Sequence, residues 1–360
     1  MAMDWKRSST ILVLLIGCHP GDTRSGAEPQ IRISEGIFDS VFPLESQAVL
    51  RPPDTALIGV GQFASVLRGR RIAIADPAMS NIKVFASDGA FLATRGRKGR
   101  APGEFIAPIA VAQDPSQSTV IVTDPIARRV TLYGGDSLEF IGVNQFQAPT
   151  AFRIALVLDS SRYLVAGAVD NPFIDTLLAT VFDADGRVRS RMLPLPRRFR
   201  GKPYVQSEIH ALAATTPHYL YLAAQGEPTI YRHLHNGELI DSLVLPYESY
   251  EGFELPDKGF PTDSGYRAHL MRYPLSRALV AVNDSTLILE VTRYSASELT
   301  FLQDEILIQW GSFPAIVSGM RCRCHVAGAD RGNIAFVNGA DPNQVTVEWR
   351  RLVTERARRQ

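Results

Sequence analysis

Short apolar runs recur along the chain with turn residues between them. The clearest are Ile72-Ala-Ile-Ala-Asp76, Val120-Ile-Val-Thr-Asp124, Tyr163-Leu-Val-Ala-Gly167, Leu220-Tyr-Leu-Ala-Ala224, Leu287-Ile-Leu-Glu-Val291 and Ile334-Ala-Phe-Val-Asn338. Most are apolar at nearly every position, the pattern of strands covered on both faces rather than on one. Six such runs predict six copies of one small unit. Over residues 71–142 the unit is written twice: a run ending in Asp76-Pro or Asp124-Pro, a second strand (Asn81–Phe85 or Arg129–Tyr133), a glycine turn, and a third strand from Phe91 or Leu138.

The turn after the second of these strands recurs as Asp88-Gly89, Gly134-Gly135, Asp185-Gly186 and Asn236-Gly237. Such dipeptides suit tight hairpins, whose central residues take positive φ. In the fifth unit Gln303-Asp304-Glu305 fills the place less well, and the sixth ends without a fourth strand. A ring of face-to-face sheets with one strand missing at its C-terminal end can take it from the other terminus. The β-type runs Ile31-Arg-Ile33 and Ile37–Phe42, within Gln30–Leu50, are available for that. Each unit needs both neighbours to bury its faces, so a single domain over 30–352 is expected, with 353–360 as a basic tail.

The junction Gly96-Arg-Lys-Gly99-Arg-Ala-Pro102-Gly103-Glu104-Phe105-Ile-Ala-Pro108 resembles the blade junction of NHL-repeat propellers and of related six-bladed propeller lipoproteins. The resemblance is good over residues 71–142; later units keep the rhythm without the motif. It implies an all-β, six-bladed β-propeller of four-stranded antiparallel blades around a central channel. It implies no single function, because that fold hosts protein binders, RNA binders, hydrolases and lyases. From the residues themselves, Pro102 and Gly103 turn the chain from rim to axis, Glu104 caps amides in the turn and Phe105 packs between blades. Asp76 and Asp124 are read as carboxylates bonding amides of the following turn.

Residues 1–17 read as a signal segment: Lys6 and Arg7 precede an apolar run, Thr10–Ile16. Leu15-Ile16-Gly17-Cys18 resembles the lipobox of bacterial lipoproteins, which implies that Cys18 is lipidated; an ordinary secretory signal is the alternative. Residues 18–29 are polar and suit a flexible tether. His19, where inner-membrane lipoproteins carry aspartate, implies by the same resemblance an outer-membrane site in the cell envelope. The apolar run is too short to span a bilayer, so lipid would be the one membrane contact. The formal charge is +1. Lys6, Arg7 and Asp4 account for that +1, the rest is neutral, and no nucleic acid is expected as a partner.

Three cysteines exclude a disulfide framework. In Cys322-Arg-Cys324-His325 the spacing is wrong for haem attachment, and on one strand His325 would point away from both thiols. Packed thiols or a local disulfide fit better than a metal, so no metal and no cofactor is assigned. No nucleophile elbow, phosphate loop or dinucleotide fingerprint occurs, so no catalytic residue is assigned either. Charge gathers instead in the links between units. Arg95, Arg97, Lys98 and Arg100 crowd the first link, and Arg197, Arg198, Arg200 and Lys202 the third. The link over 246–276 is long and rich in aromatic and acidic residues. Arg153, Glu208, His210, Arg277 and Arg321 are placed at the starts of inner strands, lining the channel, where several guanidinium groups could hold a carboxylate or phosphate.

The function expected is therefore a non-catalytic binding or scaffold protein, recognising a protein or an anionic small ligand at the channel mouth. The alternative is a hydrolase or lyase of the gluconolactonase or strictosidine-synthase type with an axial divalent metal. That is disfavoured because Glu208 is the one clear acid in the axial set. A structural subunit of an envelope complex is a third reading.

Overall fold

The computed structural model describes residues 33–353, apart from 35–37, 60, 62, 115–118, 146–149, 160–161, 170–176, 184, 203–208, 246–264, 266–267, 270–271, 274, 296, 298–299, 311–314, 323 and 340–342. Expectations for the signal segment, Cys18, the tether and the tail from residue 354 lie outside that range.

The chain enters through β1 (Ile33–Ser34), a short helix α1 (Phe38–Val41) and β2 (Leu44–Val49). Blade one is β3 (Ala64–Leu67), β4 (Arg71–Asp76), β5 (Asn81–Phe85) and β6 (Phe91–Arg95), and blade two is β7 (Ala110–Gln113), β8 (Thr119–Asp124), β9 (Arg129–Gly134) and β10 (Phe140–Gln145). Blade three is β11 (Thr150–Asp159), β12 (Arg162–Val169), β13 (Leu177–Asp183) and β14 (Val188–Pro194). Blade four is β15 (Ala211–Thr215), β16 (Tyr219–Ala224), β17 (Thr229–Leu234) and β18 (Leu239–Val244). Blade five is β19 (Leu275–Asn283), β20 (Thr286–Ser295), β21 (Thr300–Gln309) and β22 (Ala315–Cys322). Blade six joins β23 (His325–Asp330), β24 (Asn333–Asn338) and β25 (Thr346–Arg351) to β2, which lies antiparallel to β25. The inner strands β3, β7, β11, β15, β19 and β23 touch in that order, and β23 returns to β3. This is a six-bladed β-propeller.

The near-continuous apolar runs have a direct physical reading here. In β4, Ile72 and Ile74 pack against blade six while Ala73 and Ala75 pack against blade two. Alternate residues of one strand thus serve two interfaces, so every position is apolar. Six apolar clusters result, one at each junction between neighbouring blades. Polar ties reinforce the junctions. The Arg71 guanidinium donates to the Gly135 carbonyl of blade two (2.6 Å), Tyr221 to the Asp284 carbonyl of blade five (2.6 Å), and the Trp349 indole to Ser87 of blade one (3.2 Å).

The junction motif behaves as its residues suggest. Phe105 is fully buried in the cluster shared by blades one and two, and Gly96, at φ +79°, lies so close that a Cβ would strike the Phe105 ring. Glu104 accepts from the Ala101 amide (2.9 Å) and the Arg97 guanidinium (2.9 Å), which together hold its carboxyl below the usual range. Asp76 accepts from the Gly59 and Met79 amides and from the buried Lys83 ammonium; Asp124 accepts from Ile106, Ala107 and Ala127.

Two expectations are corrected. The run Ile37–Phe42 was expected as strand, yet Phe38–Val41 is helical. Its aromatic residues lie four apart, which puts Phe38 and Phe42 on one helix face against Phe336 (centroids 4.9 and 5.5 Å). The strand that pairs with β25 is the more polar Leu44–Val49, while Ile33–Ser34 runs parallel to β22 of blade five. Secondly, Gln303-Asp304-Glu305 is no turn. It lies inside β21, opposite Thr292, Val291 and Glu290, and all three side chains are buried.

Arg350 fastens the entering segment: it contacts Asp39 (2.6 Å) and the Phe42 carbonyl (2.7 Å) and lies over the Phe38 ring. Phe42→Ala removes a fully buried ring and should destabilise the protein by roughly 3–5 kcal/mol in urea unfolding, the range for large core truncations. Val49→Ser, at an exposed position, should change it little.

Candidate functional site

The inner strands of the antiparallel blades all start at one end of the ring, and two places at that end combine charge with geometry. The first is a cleft of about 540 Å³ between the third-to-fourth link and blade four, lined by residues 193–198, Arg200, Ala224, Glu227 and Tyr231. Pro196 opens a short 3-10 turn, Arg197–Phe199, whose buried Phe199 anchors it to the core shared by blades three and four. The turn therefore holds its arginines in a defined arrangement. Arg198 pairs with Glu227 (2.8 Å), donates to the Gly226 carbonyl and stacks over Phe199. Burial pushes the Glu227 carboxyl up, against the pull of Arg198. Arg200 donates to the Leu195 carbonyl (3.2 Å) and remains exposed, as does Arg197.

The second place is the seam between blades five and six. Glu290, in the middle of β20 and 1 % exposed, crosses the seam to accept from His325 Nδ1 (2.8 Å) and from the Val326 amide (2.8 Å). The first bond fixes the proton on Nδ1 and leaves Nε2 directed away from the carboxylate. His325 is 39 % exposed at its side chain. Burial pulls its pKa down, but the hydrogen bond and charge of Glu290 outweigh both burial and nearby Arg277, and the net direction is upward from 6.5. Beside Glu290, directly opposite it in the ladder, sits Glu305. It is fully buried and neither carboxyl oxygen has a hydrogen-bond partner among the described residues. Burial first, then the charges of Glu290 and Asp304, push Glu305 far above the usual carboxylate range, so it is the protonated member of the pair.

The residues expected at the channel divide. Arg277 is exposed on inner strand β19, at a bulge between Ser276 and Ala278 that turns it out of the ladder. Arg153 occupies the matching bulge of β11, between Phe152 and Ile154; its side chain is outside the described atoms. His210 is buried in the joint between blades four and five, where its amide donates to Gln225 and Gln225 donates to the Ser276 carbonyl (2.6 Å). Glu208 lies outside the described residues. Arg321 is not at the start of an inner strand: it belongs to the outer strand β22, opposite Asp304. The inner strand begins at His325, because the Cys322–His325 run straddles the link between blades rather than forming one strand. Cys324 is buried and disulfide-bonded.

In the basic first link two of the four cations are engaged, while Lys98 and Arg100 are exposed. Arg95 donates to the Leu138 and Ser137 carbonyls of blade two, and Arg97 pairs with Glu104. Of the long fourth-to-fifth link, the described residues include His269 and Tyr273, whose rings meet at 5.0 Å beside the core. Burial brings the His269 pKa down to about 4. The Glu290–His325 pair was missed from sequence, although the signal was present: a lone glutamate inside the apolar run Leu287–Val291 must find a partner when buried. Among the described residues no group of three His, Cys, Asp or Glu is arranged to hold a metal ion.

No protein-family model matches the chain, and no curated protein matches it in sequence. Solved structures do resemble it. A candidate exported protein from Bacteroides fragilis superposes with a TM-score of 0.62 at 16% identity, covering 88% of this chain and 96% of that one. A member of the DUF4221 family from Bacteroides vulgatus superposes with the same TM-score of 0.62 at 10% identity, covering 86% and 97%. At such identities the likeness establishes the propeller fold and nothing finer.

Glu305 yields a pH test. Below its ordinary value of 4.5 both folded and unfolded chains keep its proton. Above that the unfolded chain releases it and the folded chain does not, so stability falls as pH rises towards the folded pKa. Glu305→Gln should therefore match the parent's denaturation midpoint near about pH 4 and exceed it at about pH 8.

Proposed function

We propose that this propeller is a non-catalytic binding protein of the bacterial cell envelope, tethered by lipid at Cys18, that takes an acidic segment of a partner protein into the arginine cleft beside blade four. One observation carries the reading. The Arg197–Phe199 turn presents two exposed guanidinium groups, Arg197 and Arg200, on a recess of about 540 Å³ whose wall includes Tyr231. Arg198 acts as the brace, since its charge is matched by Glu227. A planar fork of donors beside an aromatic wall suits carboxylates on a peptide better than an isolated ion. The lipobox-like tetrad and the polar residues after it support an envelope location, and the NHL-like junction around Pro102–Phe105 supports a relationship to propeller lipoproteins.

A double reversal, Arg197→Glu with Arg200→Glu, tests this. Binding of a fluorescent oligoglutamate peptide should weaken by roughly tenfold or more, as expected when charge-assisted hydrogen bonds are lost and repulsion replaces them. The melting temperature should not move, because both side chains are exposed. Undiminished binding would remove the cleft from the account. Retention of the label after feeding cells radiolabelled fatty acid, and its loss in Cys18→Ala, would test the tether.

A further inference from the structure

We propose that Arg277 and His325, brought together by the inner strands of blades five and six, form a second site at the channel mouth that binds one carboxylate or phosphate group. The site is built from three observations. Arg277 is set at a strand bulge, so its side chain leaves the ladder and is exposed. His325 opens the neighbouring inner strand β23, which packs directly against β19, so it lies beside the start of the strand that carries Arg277. Glu290 reaches from behind, fixing the ring through Nδ1 and leaving Nε2 for a ligand.

The electrostatics agree with that geometry. Among the described residues, the charged groups facing His325 are Glu290 from β20 and Arg277 from β19, with Glu305 from β21 behind Glu290. On the other side, β3 brings only Ala64–Leu67, none of which titrates. With His325 protonated, Arg277 and His325 contribute two positive charges and Glu290 one negative. Were Glu305 ionised as well, the balance would be zero. Its burial, with no hydrogen-bond partner among the described residues, pushes its carboxyl far above the usual range and keeps it neutral, so the seam stays net positive at the surface that faces solvent. A buried acid kept at a cost in stability, next to a positioned histidine, is an arrangement common at functional sites. The guanidinium fork and the single Nε2–H match one planar carboxylate or one phosphoryl group.

The site makes binding depend on pH with a defined sign. His325 is cationic below its folded pKa, which lies above 6.5, and loses its Nε2 proton as pH rises through it. Anion binding should be lost over the same interval. Phosphate itself becomes more negative as pH rises, so a loss of phosphate binding can come only from the protein.

The experiment is a chemical-shift titration of the His325 ring in the purified full-length protein, with acetate and, separately, with inorganic phosphate, at about pH 6 and about pH 9. Saturable binding of either anion in the roughly millimolar range at the lower pH, lost at the higher, is the expected result. Which anion binds tells a carboxylate ligand from a phosphoryl one. Arg277→Gln should weaken binding roughly tenfold without changing the melting temperature. Glu290→Gln should move the loss of binding to lower pH, because the histidine then lacks its counter-charge. If that variant does not fold, Arg277→Gln still decides. Failure of both anions to bind, equal binding at both pH values, or binding unchanged in Arg277→Gln would overturn the proposal. The cleft variant Arg197→Glu with Arg200→Glu should leave this titration intact, so the two sites stand or fall separately.

Discussion

A thin sheet with an apolar middle strand must be covered on both faces, and almost everything in this protein follows from that need. No blade has a core of its own. The six apolar clusters each belong to two neighbours, so removing a blade would strip one face from each blade beside it. Among the described residues each blade is covered by apolar clusters shared with its neighbours, and the entering segment is drawn into the ring for the same reason. Phe38 and Phe42 complete the cluster between blades five and six, and β2 covers β25. Polar atoms at the junctions are then constrained to find partners across them, as Arg71, Tyr221, Trp349 and Gln225 do.

Against that background, Glu290 and Glu305 break the rule of the strand they sit in. Positions facing the seam between blades five and six are otherwise filled by side chains such as Ile288 and Leu307. Glu290 is bonded by His325 and the Val326 amide, while burial and its acidic neighbours push the Glu305 carboxyl far above the usual range. The same physics that makes this a poor place for stability makes it a tunable one, because the charge at the surface depends on which group carries a proton. The arginine cleft works differently. Its scaffold is apolar, through Phe199 and Leu195, and its charges sit on top, braced by one ion pair.

The repeat, the turns at Asp88-Gly89 and Asn236-Gly237, the role of Phe105 and the amide-bonding of Asp76 and Asp124 are all legible in the sequence, because each follows a local rule: period, turn chemistry, capping. Errors arose where a local rule met a tertiary partner. Ile37–Phe42 has strand-forming residues, but Phe336 rewards the helical spacing of two rings. Gln303-Asp304-Glu305 is polar enough to look like a turn, yet blade five is built of longer strands than blade one and carries those residues inside. Arg321 and His325 exchanged places for the same reason: four residues around Cys322 cross from one blade to the next, and no local signal marks the crossing.

Sequence by itself determined the number of units, their strand order and the apolar positions, since burial on two faces writes itself into nearly every residue of a central strand. It also showed where arginines cluster along the chain. Which of those arginines are braced, as Arg198 is by Glu227 and Arg95 by the Leu138 carbonyl, was decided by the packing of blade against blade. So was the meeting of Arg277, Glu290, Glu305 and His325. They are separated in sequence and joined only where the fifth blade closes upon the sixth, because distances across a seam are set by the ring and not by the chain.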